Sequence, residues 1–147
     1  IITDIDAINS ETKEKISLDN PNANVTSNPT LKHFLKTDKL QELLNKSFSE
    51  KTINDKIHIT YQTEVEGYKP RSFEDAFIKQ NYSFIKNNKE NFDSIVNKKK
   101  INDTPDFYEI ANKCIDNKAS FACDILYHKQ DWEIPSYIKE GLEWLAQ

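Results

Sequence analysis

Methionine is absent from this chain, and in its 147 residues glycine, cysteine and tryptophan appear only twice each. Two glycines, Gly67 and Gly141, cannot form a GxGxxG turn or a Walker A loop, so Gly-rich phosphate cradles are excluded. Cys114 and Cys123 stand in apolar patterns and match no zinc or redox spacing. They read as buried thiols in a reducing cytoplasm. No run of about 18 apolar residues exists and no signal peptide is visible, which argues against a membrane protein. An excess of basic charge is missing as well: 20 Lys and Arg stand against 24 Asp and Glu, a net charge of -4. A uniformly basic nucleic-acid binder is thereby disfavoured, while a local basic face is not. The lack of methionine extends to position 1 and reads as a chain that begins inside a longer protein.

What is present is enough for one ordinary domain. Eight Phe, six Tyr and two Trp can seed a core in a chain with 30% charged residues. Residues 1–5 are short, apolar and β-branched, as in a buried strand. Residues 7–30 are rich in Asn, Ser and Thr and read as a long loop. Helical periodicity runs from Leu31 through Phe34, Leu35, Leu40, Leu43 and Leu44. Residues 57–63 alternate strictly, with Ile57, Ile59 and Tyr61 on one side and His58, Thr60 and Gln62 on the other. Ser72 has the place of an N-cap for a helix carrying Phe73, Ala76, Phe77 and Phe84. The remainder reads as helical: residues 88–98, a helix with Phe107 and Ile110, another over 117–129, and a last one begun by Pro135. Ile138, Leu142 and Leu145 mark the expected apolar side of that last helix. The pattern predicts an α/β protein in which 1–72 supplies strands, loop and helix and 73–147 is helical.

Three stretches carry candidate chemistry. The first strand runs into "DID", and residues two apart on a strand share a face. If extended geometry persists through Asp6, the carboxylates of Asp4 and Asp6 project together from a strand end, where α/β sheets hold ligands. Such a pair repels itself unless a cation lies beside it, and hard oxygen donors select Mg²⁺, Mn²⁺ or Ca²⁺. Capping of the following loop explains the same residues equally well. In "RSFEDAF", Glu74 and Asp75 sit in a first helical turn, where the helix dipole alone favours them. The functional reading makes Glu74 a further oxygen donor, with Ser72 nearby and Arg71 available for phosphate. In "NKASFACDIL", Lys118 begins a helix at the end that disfavours a cation. It is either a surface lysine or one aimed at developing phosphate charge. His33, His58 and His128 show no metal-binding spacing and read as surface or satisfied core residues.

Together with "TSNPTLKHFL", "ITYQTEVEGYKPRSFEDAFI" and "WEIPSYIKEGLEWL", these stretches resemble the carboxyl-terminal Toprim region of the overcoming-lysogenization-defect (OLD) nucleases. The resemblance covers nearly the whole chain in the expected order. It implies a partial Toprim-like, Rossmann-like parallel sheet followed by a mostly helical region. It also implies metal-dependent cleavage or nicking of DNA in phage defence, in the cytoplasm, with an ABC-type ATPase upstream through which the protein forms a homo-oligomer. Asp4 and Asp6 match the metal-ligating DxD. Glu74 matches the acidic residue of the SFE segment, with Ser72 as a direct ligand or the holder of one. Lys118 matches the lysine placed near the scissile phosphate, although Asn117 stands where relatives have Gly. A further acidic residue is expected on a strand upstream of Ile1, so that this chain alone is weak or inactive.

The implied reaction uses two Mg²⁺ or Mn²⁺ ions, with Ca²⁺ as an inactive substitute, to activate a water and stabilise the leaving 3′ oxygen. Lys118 and Arg71 offset transition-state charge. Two rivals remain open. A haloacid dehalogenase-like phosphatase also ends a strand in DxD, but Ile8 occupies the slot where it needs Thr or Val. A non-catalytic interaction module would use the acidic residues only as caps and solvent contacts.

Overall fold

The protein is described here by a computed structural model covering residues 1–128 and 131–147. The chain divides into two compact units: Ile1–Phe73 together with Pro135–Gln147, and Glu74–Ile134.

In the first unit the two strands expected from the sequence lie side by side. Ile2 pairs in parallel with Thr60, through Thr3 N–H to Thr60 O (3.0 Å) and Thr60 N–H to Ile1 O (2.8 Å). This is a single bridge. The regular sheets among the described residues are two antiparallel pairs, β1 (Ala7–Ile8) with β2 (Val25–Thr26) and β3 (Thr52–Ile53) with β4 (Ile57–His58). A wider parallel sheet is not seen among them. The segment expected as a plain loop therefore contains a short hairpin, and it places Ala7 and Leu18 in the core.

The helical pattern from Leu31 splits into α1 (Pro29–Leu35) and α2 (Leu40–Leu44). Asn28 begins α1: its side-chain oxygen accepts from Thr30 N and Leu31 N, and Pro29 follows at the position where a missing N–H is harmless. Lys36 ends it in the left-handed region, with φ 56°. Leu31, Leu35 and Leu43 then pack on Ile5, Ile59 and Tyr61, all buried. Each such side chain contributes about 1.5–3 kcal/mol over its exposed state.

The second unit begins within α3 (Phe73–Gln80) and continues through α4 (Tyr82–Asn88), α5 (Phe107–Lys113) and α6 (Lys118–His128). Its core includes Phe77, Ile85, Phe92, Ile95, Ile110 and Phe121. Phe77 and Phe121 meet edge to face with centroids 6.2 Å apart. The helix expected over 88–98 is not formed. A 3-10 turn, Lys89–Asn91, is followed by non-helical chain that buries Phe92 and Ile95, and Asn97 takes φ 50°. Asparagines at 88, 91 and 97 offer local hydrogen bonds that compete with a helix. Residue 129, the expected end of α6, lies outside the described residues.

The last helix, α7 (Ser136–Leu145), belongs to the first unit and starts after Pro135 as expected. It packs by a different side from the one its apolar residues mark. Tyr137 is buried, whereas Leu142 and Leu145 are 49% and 75% exposed. Glu140, Gly141 and Trp144 face the unit instead: a Cβ at Gly141 would lie 2.8 Å from Ile2 and 2.9 Å from Thr60 Oγ1. Glu140 Oε1 accepts from buried Lys51 (2.5 Å) and pairs with His58 Nε2 (2.9 Å), and Trp144 stacks on the His58 ring. His58 and Thr60, from the polar side of the alternating stretch, thus form a buried docking surface for a helix. Of the two thiols, Cys114 is buried as expected and Cys123 is exposed, because α6 turns only Phe121 fully inward.

Candidate functional site

The acidic turn is built from both ends of the first unit's sequence. Polar groups of residues 3–7 are claimed one after another by donors from elsewhere in the unit. Asn28 Nδ2 donates to Asp4 O (2.6 Å) and Thr3 Oγ1 (2.7 Å), Thr26 Oγ1 donates to Ile5 O (2.5 Å), and Ser27 N–H donates to Asp6 O (3.0 Å). Asn28 therefore caps α1 with its oxygen and holds the acidic turn with its nitrogen.

Extended geometry does not persist through Asp6. Its φ is +48°, in the left-handed region that Asp tolerates better than bulkier residues. The shared-face argument for the DxD pair consequently fails at the second aspartate. The two carboxylates are instead positioned by different partners. Asp4 Oδ1 accepts from Gln62 Nε2 at 2.5 Å, and the Gln62 oxygen accepts from Ile5 N–H at 2.7 Å. Asp6 Oδ1 lies 3.2 Å from Arg71 Nη2, while Arg71 Nε donates to Ala7 O at 3.0 Å. Arg71 is 5% exposed, so the residue expected to meet phosphate has its guanidinium committed to the acidic turn. Ser72, next to it, is also buried.

In the second unit the structure brings together two residues that the sequence left far apart. Lys118 Nζ is 2.9 Å from Glu74 Oε1. The lysine side chain is 72% exposed and the glutamate side chain 9%. Lys118 is thereby both a surface residue and a cation aimed at a buried carboxylate. Asp75 is buried too, at 1% exposure.

The donors fit a hard divalent cation in kind, since Asp4, Asp6 and Glu74 offer carboxylate oxygens. They fall short in number: among the described residues, no group of three or more His, Cys, Asp or Glu side chains is gathered closely enough to hold a metal ion. Sequence reasoning missed Gln62, Asn28 and Thr26. The available signal was that Gln62 stands on the polar side of the alternating stretch 57–63, but it gave no direction for the carboxamide.

The fold is a mixed α/β one with an acidic turn fixed by buried donors, and no described helix is long and apolar enough to cross a membrane. The chain is similar to Endonuclease GajA of Bacillus cereus (strain HuB5-5), with 32% identity over 169 aligned positions. That alignment covers all of this chain and 23% of the relative, so the chain spans about a quarter of the length of the curated relative it matches. No protein-family model matches the chain, and no solved structure does.

Proposed function

We propose that this chain is part of a DNA endonuclease of the OLD type, its Toprim portion, acting in defence against phage in the cytoplasm. The observation that carries the reading is the similarity to an endonuclease along the full chain, joined to an acidic turn whose two aspartates are individually oriented. An ATPase elsewhere in the protein and assembly through it belong to the same proposal, as does a further carboxylate outside this chain.

Asp4 and Asp6 would contribute oxygen donors to Mg²⁺ or Mn²⁺, Glu74 is proposed as a further donor with Ser72, two residues before it, as a direct or indirect contributor, and the carboxylate outside this chain would add to them. Bound there, the ions would supply Lewis-acid stabilisation of a phosphodiester and an activated water. The chain's own residues set the conditions for that chemistry. Asn28, Thr26 and Ser27 fix the backbone of the acidic turn, so that its carboxylates need little reorganisation. Arg71 sets its guanidinium against the Asp6 carboxylate and satisfies the Ala7 carbonyl. Lys118, exposed and flexible, can move its ammonium between Glu74 and a phosphate oxygen. Contacts to DNA would fall mainly on the backbone, with low sequence specificity.

The test is cleavage of supercoiled plasmid by the whole protein with Mg²⁺ or Mn²⁺. Wild type should nick it, and Asp4→Asn should not, with unchanged circular dichroism. A well-folded Asp4→Asn protein that nicks at the wild-type rate removes Asp4 from the reaction. A whole protein that never cuts DNA, but does bind a partner protein, returns the chain to the interaction-module reading.

A further inference from the structure

We propose that Gln62 is the positioning residue of the Asp4 carboxylate. The inference rests on the reading of Asp4 given above and goes beyond it, because it assigns a residue outside the acidic set.

A carboxamide has one acceptor oxygen and one donor nitrogen, and they point in opposite directions. At Gln62 the oxygen is taken by the backbone N–H of Ile5, 2.7 Å away. An N–H can only be met by an acceptor, so this contact fixes which end of the amide faces Asp4. The nitrogen must be the end that reaches Asp4 Oδ1, at 2.5 Å. Gln62 therefore grips two successive residues of the acidic segment: the backbone of Ile5 and the side chain of Asp4.

The grip is rigid. Gln62 is 1% exposed, and the chain segment that carries it is anchored by its neighbour Tyr61, fully buried, whose hydroxyl donates to Leu43 O at 2.7 Å. On the other side of Asp4, Asn28 holds the Asp4 carbonyl at 2.6 Å. The side chain and main chain of Asp4 are thus set by two different carboxamides.

The choice of a neutral donor has a consequence. Asp6 is oriented by a guanidinium, which brings a positive charge of its own. Gln62 orients Asp4 through an amide, which brings no charge of its own. Glutamate at 62 would keep the bond from Ile5 but turn an oxygen toward the Asp4 oxygen, where two carboxylates repel. Methionine would keep the volume and lose both bonds.

The experiment uses Gln62→Met and Gln62→Glu in the whole protein, beside Asp4→Asn and an exposed control, Gln41→Glu. Gln62→Met should weaken Mn²⁺ binding, measured by calorimetry, by about 10–100-fold, the range seen when a partner that orients a metal ligand is removed. It should lower kcat for nicking with KM for DNA unchanged. Gln62→Glu keeps the Ile5 bond and so guards against loss of folding. It should also lower kcat, and it should move the ¹³C carboxyl resonance of Asp4 in metal-free protein, which Gln41→Glu should leave in place. Wild-type kcat and an unmoved Asp4 resonance in Gln62→Glu overturn the proposal, as does wild-type Mn²⁺ affinity in Gln62→Met. If Asp4→Asn is inactive while both Gln62 variants behave as wild type, only the Gln62 assignment falls. If Asp4→Asn itself nicks normally, the reading of Asp4 falls and takes this inference with it.

Discussion

The two units treat their candidate acids differently. In the first, Asp6 is met by an arginine that is 5% exposed and tied to a second acceptor, and Asp4 by a glutamine that is 1% exposed. In the second, Glu74 is buried but its cation, Lys118, is 72% exposed on the first turn of α6. The lesson concerns how much freedom each acid retains. A buried arginine cannot leave without stranding its own charge, whereas an exposed lysine stays solvated when it moves and the cost falls only on the buried carboxylate. The acidic turn is preorganised, and the Glu74–Lys118 pair is adjustable.

The last helices of the two units repeat the contrast. α7 is pinned by Glu140 to Lys51 and His58, whose side chains are 7% and 0% exposed. α6 turns Phe121 inward and leaves Leu126 and Tyr127 at 79% and 85% exposure. These features set the expected order of mutational damage. Phe121→Ala removes the fully buried ring packed on Phe77 and should cost about 3–5 kcal/mol in urea unfolding. A cost under about 1 kcal/mol would mean that α6 is not anchored by that ring. Glu140→Gln strips Lys51 of its partner and should cost about 3 kcal/mol, somewhat less than a wholly buried pair because Glu140 is 26% exposed. Unchanged stability there would show that α7 is held by Trp144 and Tyr137 alone. Gly141→Val forces side-chain atoms toward Ile2 and Thr60 and should cost about 1–3 kcal/mol. Lys118→Ala should reduce DNA nicking and cost about 1–2 kcal/mol, because the lysine is exposed but the Glu74 side chain, 9% exposed, loses its cation. A large loss of stability would contradict its description as an adjustable partner.

The smallest effect concerns pH. Hydrogen bonds from Lys100 and Lys113 hold the half-buried Glu109 carboxyl down at about 2. A depressed carboxyl adds stability above its unfolded value, about 4.5, and that contribution is lost as pH falls toward 2. NMR titration should find a midpoint near 2 for Glu109, and Lys100→Ala should raise it.

Several of these features were legible in the sequence, for reasons that can be named. The β-branched run at residues 1–5 and the alternation at 57–63 identified segments that do lie side by side in parallel. Pro135 before α7 is a local start signal and marks a real helix start. The conformation of Asp6 was not legible, because period-two reasoning assumes extended backbone and Asp6 is left-handed. The packing side of α7 was hidden because it is chosen by an ion cluster and a close approach at Gly141, while its leucines face outward. Gln62 was hidden because its role depends on a partner 58 positions away in the chain.

The central claim is that the acidic turn held by Gln62 and Arg71 is a DNA-cleaving centre. Its most direct measurement is the rate at which the whole Asp6→Asn protein relaxes supercoiled plasmid with Mn²⁺ present. The account predicts no relaxation above background by a variant whose unfolding shows a stable fold. Relaxation at the wild-type rate would contradict it.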